Sequence, residues 1–272
     1  MSGSAYLCGG MGTIRTTHDI AARPRVRRAA PKRGPRGLWQ DRDMPATQND
    51  SAADSDLSAL VIGVLGGTGD QGRGLARRLA LAGQTVMIGS RDAGRAAAAA
   101  ATVGTAPQVT GASNEDTAAV ADVVIVAVPW EGHRDLLVSL AGRLAGKIVI
   151  DCVNPLGFDN RGAYPVPVPE GSAAQQAAAV LPDSRVVGAF HHVSAVLLLD
   201  PDVAELDLDI LVLGDDREAT DLVQALAELL PGVRGVYAGR LRNCGQVEAL
   251  TANLVSVNRR YKAHAGLRIT DI

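Results

Sequence analysis

The chain is poor in aromatic side chains: Phe, Trp and Tyr make up 3% of its 272 residues, although 47% are hydrophobic. A core must therefore be built from Ala, Val, Leu and Ile, and Val/Ile-rich strands alternating with Ala-rich helices are the α/β way to build one. Cysteine is scarce as well. Cys8, Cys152 and Cys244 stand far apart, without the short spacings of a metal centre, a redox pair or a disulfide framework. This usage points to a reduced, cytoplasmic setting and to no metal site. No apolar run approaches the roughly 20 residues of a membrane helix, so no membrane partner is expected. Charge is nearly balanced at a formal −2, which gives no electrostatic case for nucleic acid.

What the chain does have is glycine, 30 residues of it, and one cluster that organises the rest. Gly67-Thr68-Gly69-Asp70-Gln71-Gly72 is a complete G-x-G-x-x-G. Leu60 to Leu65 before it reads as a buried parallel strand, and Gly74 to Ala82 after it as an amphipathic helix stopped by Gly83. Strand, glycine turn and helix in that order are the dinucleotide pyrophosphate site. The reading assigns the tight turn to Gly67, the space for phosphates to Gly69 and close helix–strand packing to Gly72. The helix start then faces the anion with its free N–H groups and positive dipole end.

Residues 1–56 have another character. Arg23 to Arg28 and Pro31 to Arg36 are basic and Pro-broken, and Asn49 to Asp56 is a polar linker, so the segment reads as a disordered extension, with Met11 or Met44 as alternative starts. Residues 57–200 read as the nucleotide-binding domain. Thr85 to Gly89 is its second strand, ending at Ser90-Arg91, with Arg95 one helical turn on. NAD enzymes place Asp or Glu there for the ribose 2′-OH, whereas hydroxyl and guanidinium donors suit the 2′-phosphate of NADP. Asp92 is better placed to cap the following Ala-rich helix than to oppose that phosphate.

Further strands are expected at 108–110, 123–128, 147–151 and 185–190, with helices at 93–101, 114–121 and 172–181. Val128-Pro129-Trp130 sits on the carboxyl, ligand-binding edge, where Trp130 covers the nicotinamide or merely fills a loop. Gly157 to Gly171, with Pro165, Pro167 and Pro169, reads as a long substrate-side loop. His191 and His192 end the sixth strand on the same edge, where an imidazole could position a substrate or simply pack; His133 reads as structural. Residues 201–272 read as a small C-terminal α+β domain closing the cleft: strands at 208–213 and 233–237, helices at 217–230 and from Asn243 to about Ala265. The fold class is thus α/β, a Rossmann-type doubly wound parallel sheet with a small C-terminal domain.

Several motifs together carry a family resemblance. They are Gly66-Gly67-Thr68-Gly69-Asp70-Gln71-Gly72, Gly89-Ser90-Arg91, Val128-Pro129-Trp130-Glu131 and Asp151-Cys152-Val153-Asn154-Pro155-Leu156, with Asn253-Leu254 through Asn258 to Lys262 at the end. In this order and spacing they resemble the NADPH-dependent coenzyme F420 reductases, the actinobacterial branch in particular, over residues 59–272. The resemblance implies hydride transfer between NADP(H) and coenzyme F420, a 5-deazaflavin, in a cytoplasmic enzyme. It implies a pyrophosphate turn at Thr68 to Gln71 and a 2′-phosphate pocket of Ser90, Arg91 and Arg95, where the archaeal branch has Lys for the last. It also implies a cofactor cleft lined by Val128, Asn154 and Ala195. His192-Val193-Ser194 departs from the family's Thr-Ile-Pro there. Small molecules are the expected partners, and a homodimer is compatible with the resemblance.

Two other functions remain open on the residues. β-Hydroxyacid dehydrogenases carry G-x-x-x-K-x-x-x-N on a helix; Gly245, Ala249 and Asn253 match that spacing, but Ala replaces the Lys that handles the proton, leaving only Lys262 from another turn. An NADP-dependent reductase of a small hydroxy acid or imine is therefore one alternative. A non-enzymatic NADP-binding sensor domain is the other.

Overall fold

The computed structural model describes residues 57–104 and 108–272; the extension expected over residues 1–56 lies outside them. One eight-stranded sheet carries the described chain. Its strands, in chain order, are β1 (Val61–Leu65), β2 (Thr85–Ser90), β3 (Val109–Ser113), β4 (Val123–Val126), β5 (Ile148–Asp151), β8 (Arg185–Gly188), β9 (Leu208–Gly214) and β10 (Val233–Gly239). The remaining strands, β6 (Leu156–Asp159) and β7 (Gly162–Pro165), form a separate hairpin. The helices are α1 (Asp70–Leu81), α2 (Ala93–Val103), α3 (Asn114–Val120), α4 (His133–Leu144), α5 (Ala173–Val180), α6 (Ala195–Leu199), α7 (Arg217–Glu228) and α8 (Cys244–Tyr261).

Across the sheet the order is β10-β9-β8-β5-β4-β1-β2-β3. All neighbours are parallel except β8 and β9. Such sheets are covered on both faces, which is why β1, β4 and β5 are near-continuous runs of Val, Ile and Leu. Two apolar clusters result: Ile62, Val64, Ile88 and Ile125 on one face, Leu65, Val124, Val126 and Val149 on the other. Among the described residues Phe190 is the one aromatic in the set of largest fully buried side chains, in keeping with the composition.

The tail departs from expectation. Strands β9 and β10, expected to found a small domain of their own, continue the main sheet: Val187 pairs with Gly214 and Gly188 with Leu213. The described residues cluster as one compact unit. The reason is that β8 offers an open edge and β9 is buried almost throughout, so pairing there satisfies the backbone groups of both strands. The expected loop Gly157 to Gly171 contains the β6–β7 hairpin, turned where the Asp159 carboxylate accepts from the N–H groups of Arg161 and Gly162. Helix α8 ends at Lys262, in the left-handed region, short of the expected Ala265. Among the described residues no helix is long and apolar enough to cross a membrane.

The chain runs from β1 to β2 and β3 on one side, then returns past β1 to β4 and β5 on the other. The crevice outside the carboxyl ends of β1 and β4 lies at this reversal, which is where open α/β sheets bind ligands.

Candidate active site

A cavity of about 960 Å³ opens at that place, large enough for a dinucleotide. Its floor is the β1–α1 turn. Gly66, not Gly67, holds the left-handed conformation (φ +71°), and it touches the β4 loop: a Cβ on Gly66 would lie 2.5 Å from Val128 Cγ1. Gly67 is needed for space instead, since its Cβ would meet Ile88 Cγ2 and the Val64 carbonyl at 2.8 Å. Gly72 is the packing glycine the sequence suggests, its Cβ falling 2.6 Å from Gly67 Cα. At Gly69 a Cβ would meet only the Gly66 carbonyl, at 3.7 Å, so the protein itself leaves that space open on the crevice wall.

Gly69 is also the N-cap of α1 and has no side chain to cap it. The first N–H groups of the helix are left for an outside acceptor, beside the crevice-lining Thr68, Asp70 and Gln71. Asp70 turns its carboxylate to Arg73 at 2.6 Å. Gln71 reaches across the site, its Nε2 donating to the Phe190 carbonyl at 3.2 Å. Phe190 is itself left-handed (φ +61°) and buried, so this bond and the surrounding packing hold a strained strand end in place.

The β2 end matches its reading. Ser90, Arg91 and Arg95 line the crevice together. Ser90 is buried, its Oγ accepting from Asp92 N. Asp92 caps α2, accepting from Arg95 N at 2.9 Å, and so directs its charge into the helix. Arg91 and Arg95 are exposed and form no ion pair among the described residues. Two free guanidiniums and a hydroxyl around one opening have the chemistry of a phosphate pocket.

On the opposite wall Val128 and Pro129 line the crevice as expected, joined by residues the sequence reading missed, Glu131, Asp135, Leu136 and Ser139 of the β4–α4 segment. On the Ser90 side the reading also missed Asn114 and Glu115, which start α3 just after β3. Trp130 is not on that wall. It is half-buried and packs on His133, ring centroids 5.5 Å apart, so it fills the loop.

Asn154 and Ala195 lie outside this cavity. Asn154 Nδ2 donates to the His191 carbonyl at 2.8 Å, while its Oδ1 has no partner. Ala195 starts α6, which is bound to α1: Leu198 packs on Gly74, and the buried Arg78 donates to the carbonyls of Leu197, Leu198 and Asp200. Gln71 and Asn154 thus grip adjacent peptide carbonyls, those of Phe190 and His191, from the two sides of the switch point.

The paired histidines part company. His192 turns inward, its Nε2 accepting from Leu211 N of β9 at 3.3 Å, and serves the sheet. His191 is 4% exposed, with both ring nitrogens unpartnered and Nε2 4.0 Å from Glu248 Oε1. Burial pushes both imidazoles down to about 4, so both are neutral near pH 7. Glu248, on α8, accepts from Ala173 N and Ala174 N at the start of α5; burial lifts its carboxyl to about 7. His133 is fully buried between Asp151 (2.6 Å) and Gln176 (3.1 Å). Burial pulls its pKa down, but the Asp151 charge and hydrogen bond outweigh this and the net direction is upward.

Comparison with known proteins points the same way. The family described as "NADP oxidoreductase coenzyme F420-dependent" matches residues 61–155. The F420-dependent NADP reductase of Methanothermobacter marburgensis is 41% identical over 223 residues, covering 78% of this chain and 99% of that protein. That of Methanocaldococcus jannaschii is 38% identical, again over 78% of this chain and 99% of its own length. Among solved structures, a candidate F420-dependent NADP-reductase from Arthrobacter sp. FB24 superposes with a TM-score of 0.68 at 28% identity, covering 78% of this chain and all of that one.

Proposed function

We propose a division of labour along the crevice of a chain that belongs to the F420-dependent NADP reductase family. The protein transfers a hydride between NADP(H) and coenzyme F420. The observation that carries the assignment is one opening that unites an uncapped helix start with two unpaired guanidiniums and a hydroxyl.

The first-turn N–H groups of α1, at Asp70, Gln71 and Gly72, hold the pyrophosphate, with Thr68 beside them and Gly69 leaving the room. Ser90, Arg91 and Arg95 hold the 2′-phosphate and set the preference for NADP over NAD. Val128 and Pro129 wall the passage toward the hydride-transfer end. Gln71 and Asn154, by gripping the Phe190 and His191 carbonyls, fix the segment from which Ala195 and α6 border the deazaflavin.

Both substrates are hydride carriers, so the chemistry is theirs and the chain's task is to hold two rings together and keep water out. The buried titratable groups behind this edge, His191, Cys152, Cys244 and Glu248, do not line the crevice. His191 is neutral, Cys152 and Cys244 have thiols pushed well above their usual range by burial, and Glu248, although its carboxyl titrates at about 7, is turned to the backbone N–H groups of Ala173 and Ala174. No catalytic side chain is essential in this account, and His191 acts by position. The hydroxy-acid alternative gains no support: Lys262 is exposed at the far end of α8, and Ala249 stands where the proton-handling Lys is required. Buried free thiols at Cys152 and Cys244 suit a reducing, cytoplasmic setting.

The reading is tested by mixing the purified protein with F420 and either NADPH or NADH. Loss of the oxidised deazaflavin's visible absorbance with NADPH, and far slower loss with NADH, is expected. Equal rates with the two would overturn the 2′-phosphate assignment.

A further inference from the structure

We propose that Asn114 and Glu115 form the adenine subsite of the crevice, an inference that rests on the placement of the 2′-phosphate at Ser90, Arg91 and Arg95. Asn114 is only 3% exposed, yet it lines the crevice and makes no side-chain hydrogen bond among the described residues. Its Oδ1 is pressed inward beside Gly89, where a Cβ would approach it to 2.9 Å, and has no donor. Nδ2 is therefore the end of the amide left toward the crevice. An unmatched buried amide is costly unless a ligand completes it.

The place fits a base. Ser113, just before Asn114, pairs in register with Ser90, so Asn114 and Glu115 stand one strand over from the phosphate pocket. The adenine shares its ribose with the 2′-phosphate and must lie within one sugar of it. Leu136, half-buried on the facing wall, offers an apolar surface for the ring. Asn114 Nδ2 then donates to a ring nitrogen, and the exposed Glu115 carboxylate, also on the wall, accepts from the 6-amino group. A carboxylate at this edge favours adenine over a base carrying a 6-oxo group, whose lone pairs it would face. Glu115 also stands near the 2′-phosphate, and the unpaired charges of Arg91 and Arg95 offset that repulsion.

The test compares Kd by calorimetry for NADPH, its 6-deamino analogue (hypoxanthine for adenine) and NADH. Wild type is expected to bind NADPH roughly tenfold more tightly than the deamino analogue. Glu115→Ala should abolish that preference, and Glu115→Gln, able to turn an N–H toward the 6-oxo group, should narrow or reverse it. Asn114→Ala should weaken both cofactors by a similar factor. Because Glu115 is exposed, its variants fold and keep the test decisive even if Asn114→Ala does not. Equal binding of NADPH and its deamino analogue by wild type, or a preference that survives Glu115→Ala, overturns the subsite while NADPH still outbinds NADH. Equal binding of NADPH and NADH instead overturns the phosphate placement, and the subsite with it.

Discussion

Replacing Arg91 by Asp probes the cofactor pocket with little risk to the fold. Arg91 is exposed, makes no ion pair among the described residues and precedes the α2 cap rather than forming it, so the change breaks no contact among them. What it removes is one charge-assisted bond to the 2′-phosphate, worth about 1.5–3 kcal/mol, and what it adds is a negative charge against that phosphate. Ser90 and Arg95 remain and soften the loss. Together these give about 2–4 kcal/mol, or a roughly 30- to 1,000-fold rise in Kd for NADPH. NADH lacks the phosphate and should lose far less. Titration calorimetry with both cofactors, alongside melting temperatures, decides the matter. A comparable loss for NADH, or a lowered melting temperature that accounts for the NADPH loss, would refute the reasoning.

Gly72→Ala should lower stability by about 1–3 kcal/mol through contact with Gly67 Cα, less the gain of about 1 kcal/mol from helix propensity, and should weaken NADPH binding by shifting the pyrophosphate turn; thermal melts and calorimetry read both. Glu248→Gln should remove one contribution to the pH–stability curve. The folded carboxyl titrates at about 7 and the unfolded one near 4.5, so wild-type stabilisation present at low pH is lost as pH rises through this window, by up to about 3 kcal/mol, and urea melts of both proteins at pH 5 and 8 should show the stability difference, wild type minus variant, falling by that amount. His191 and His192 act in the opposite sense: held neutral down to about 4, they contribute stability above their ordinary value of 6.5 that disappears as pH falls toward 4. His191→Ala should slow hydride transfer by roughly tenfold through lost positioning, whereas a general acid would be worth about 10²–10⁴; rapid mixing at saturating cofactors separates the two.

How far the sequence could be read varied with the physics involved. The inner strands β1, β4 and β5 announced themselves because a strand buried on both faces needs a near-continuous Val/Ile/Leu run, as in Val123 to Val126. The phosphate turn was legible for the same local reason, although φ at Gly66 and the space at Gly67 exchanged the roles expected of neighbouring glycines. Ser90, Arg91 and Arg95 were legible because their position after β2 is fixed by the fold. The continuation of the sheet through β9 was not, since an antiparallel joint at an open edge leaves no trace in either strand's composition. The Asp159 turn was hidden among prolines, though Asp-Asn-Arg-Gly is a turn signal. Asn114 and Glu115 could have been found from the rule that places ligands at strand carboxyl ends, once β3 was extended to Ser113. The inward turn of His192 and the placement of Trp130 against His133 depend on tertiary packing, which neither residue's neighbours in sequence reveal.

The central claim is direct hydride transfer between the two carriers with no essential protein acid. NADPH deuterated on the transferred face, mixed rapidly with the protein and F420, tests it most directly. The account predicts deuterium at C5 of the reduced deazaflavin and a primary isotope effect on the fast phase, both retained in His191→Ala. Loss of the label to solvent, or a variant that binds both cofactors yet falls several thousandfold in rate, would contradict it.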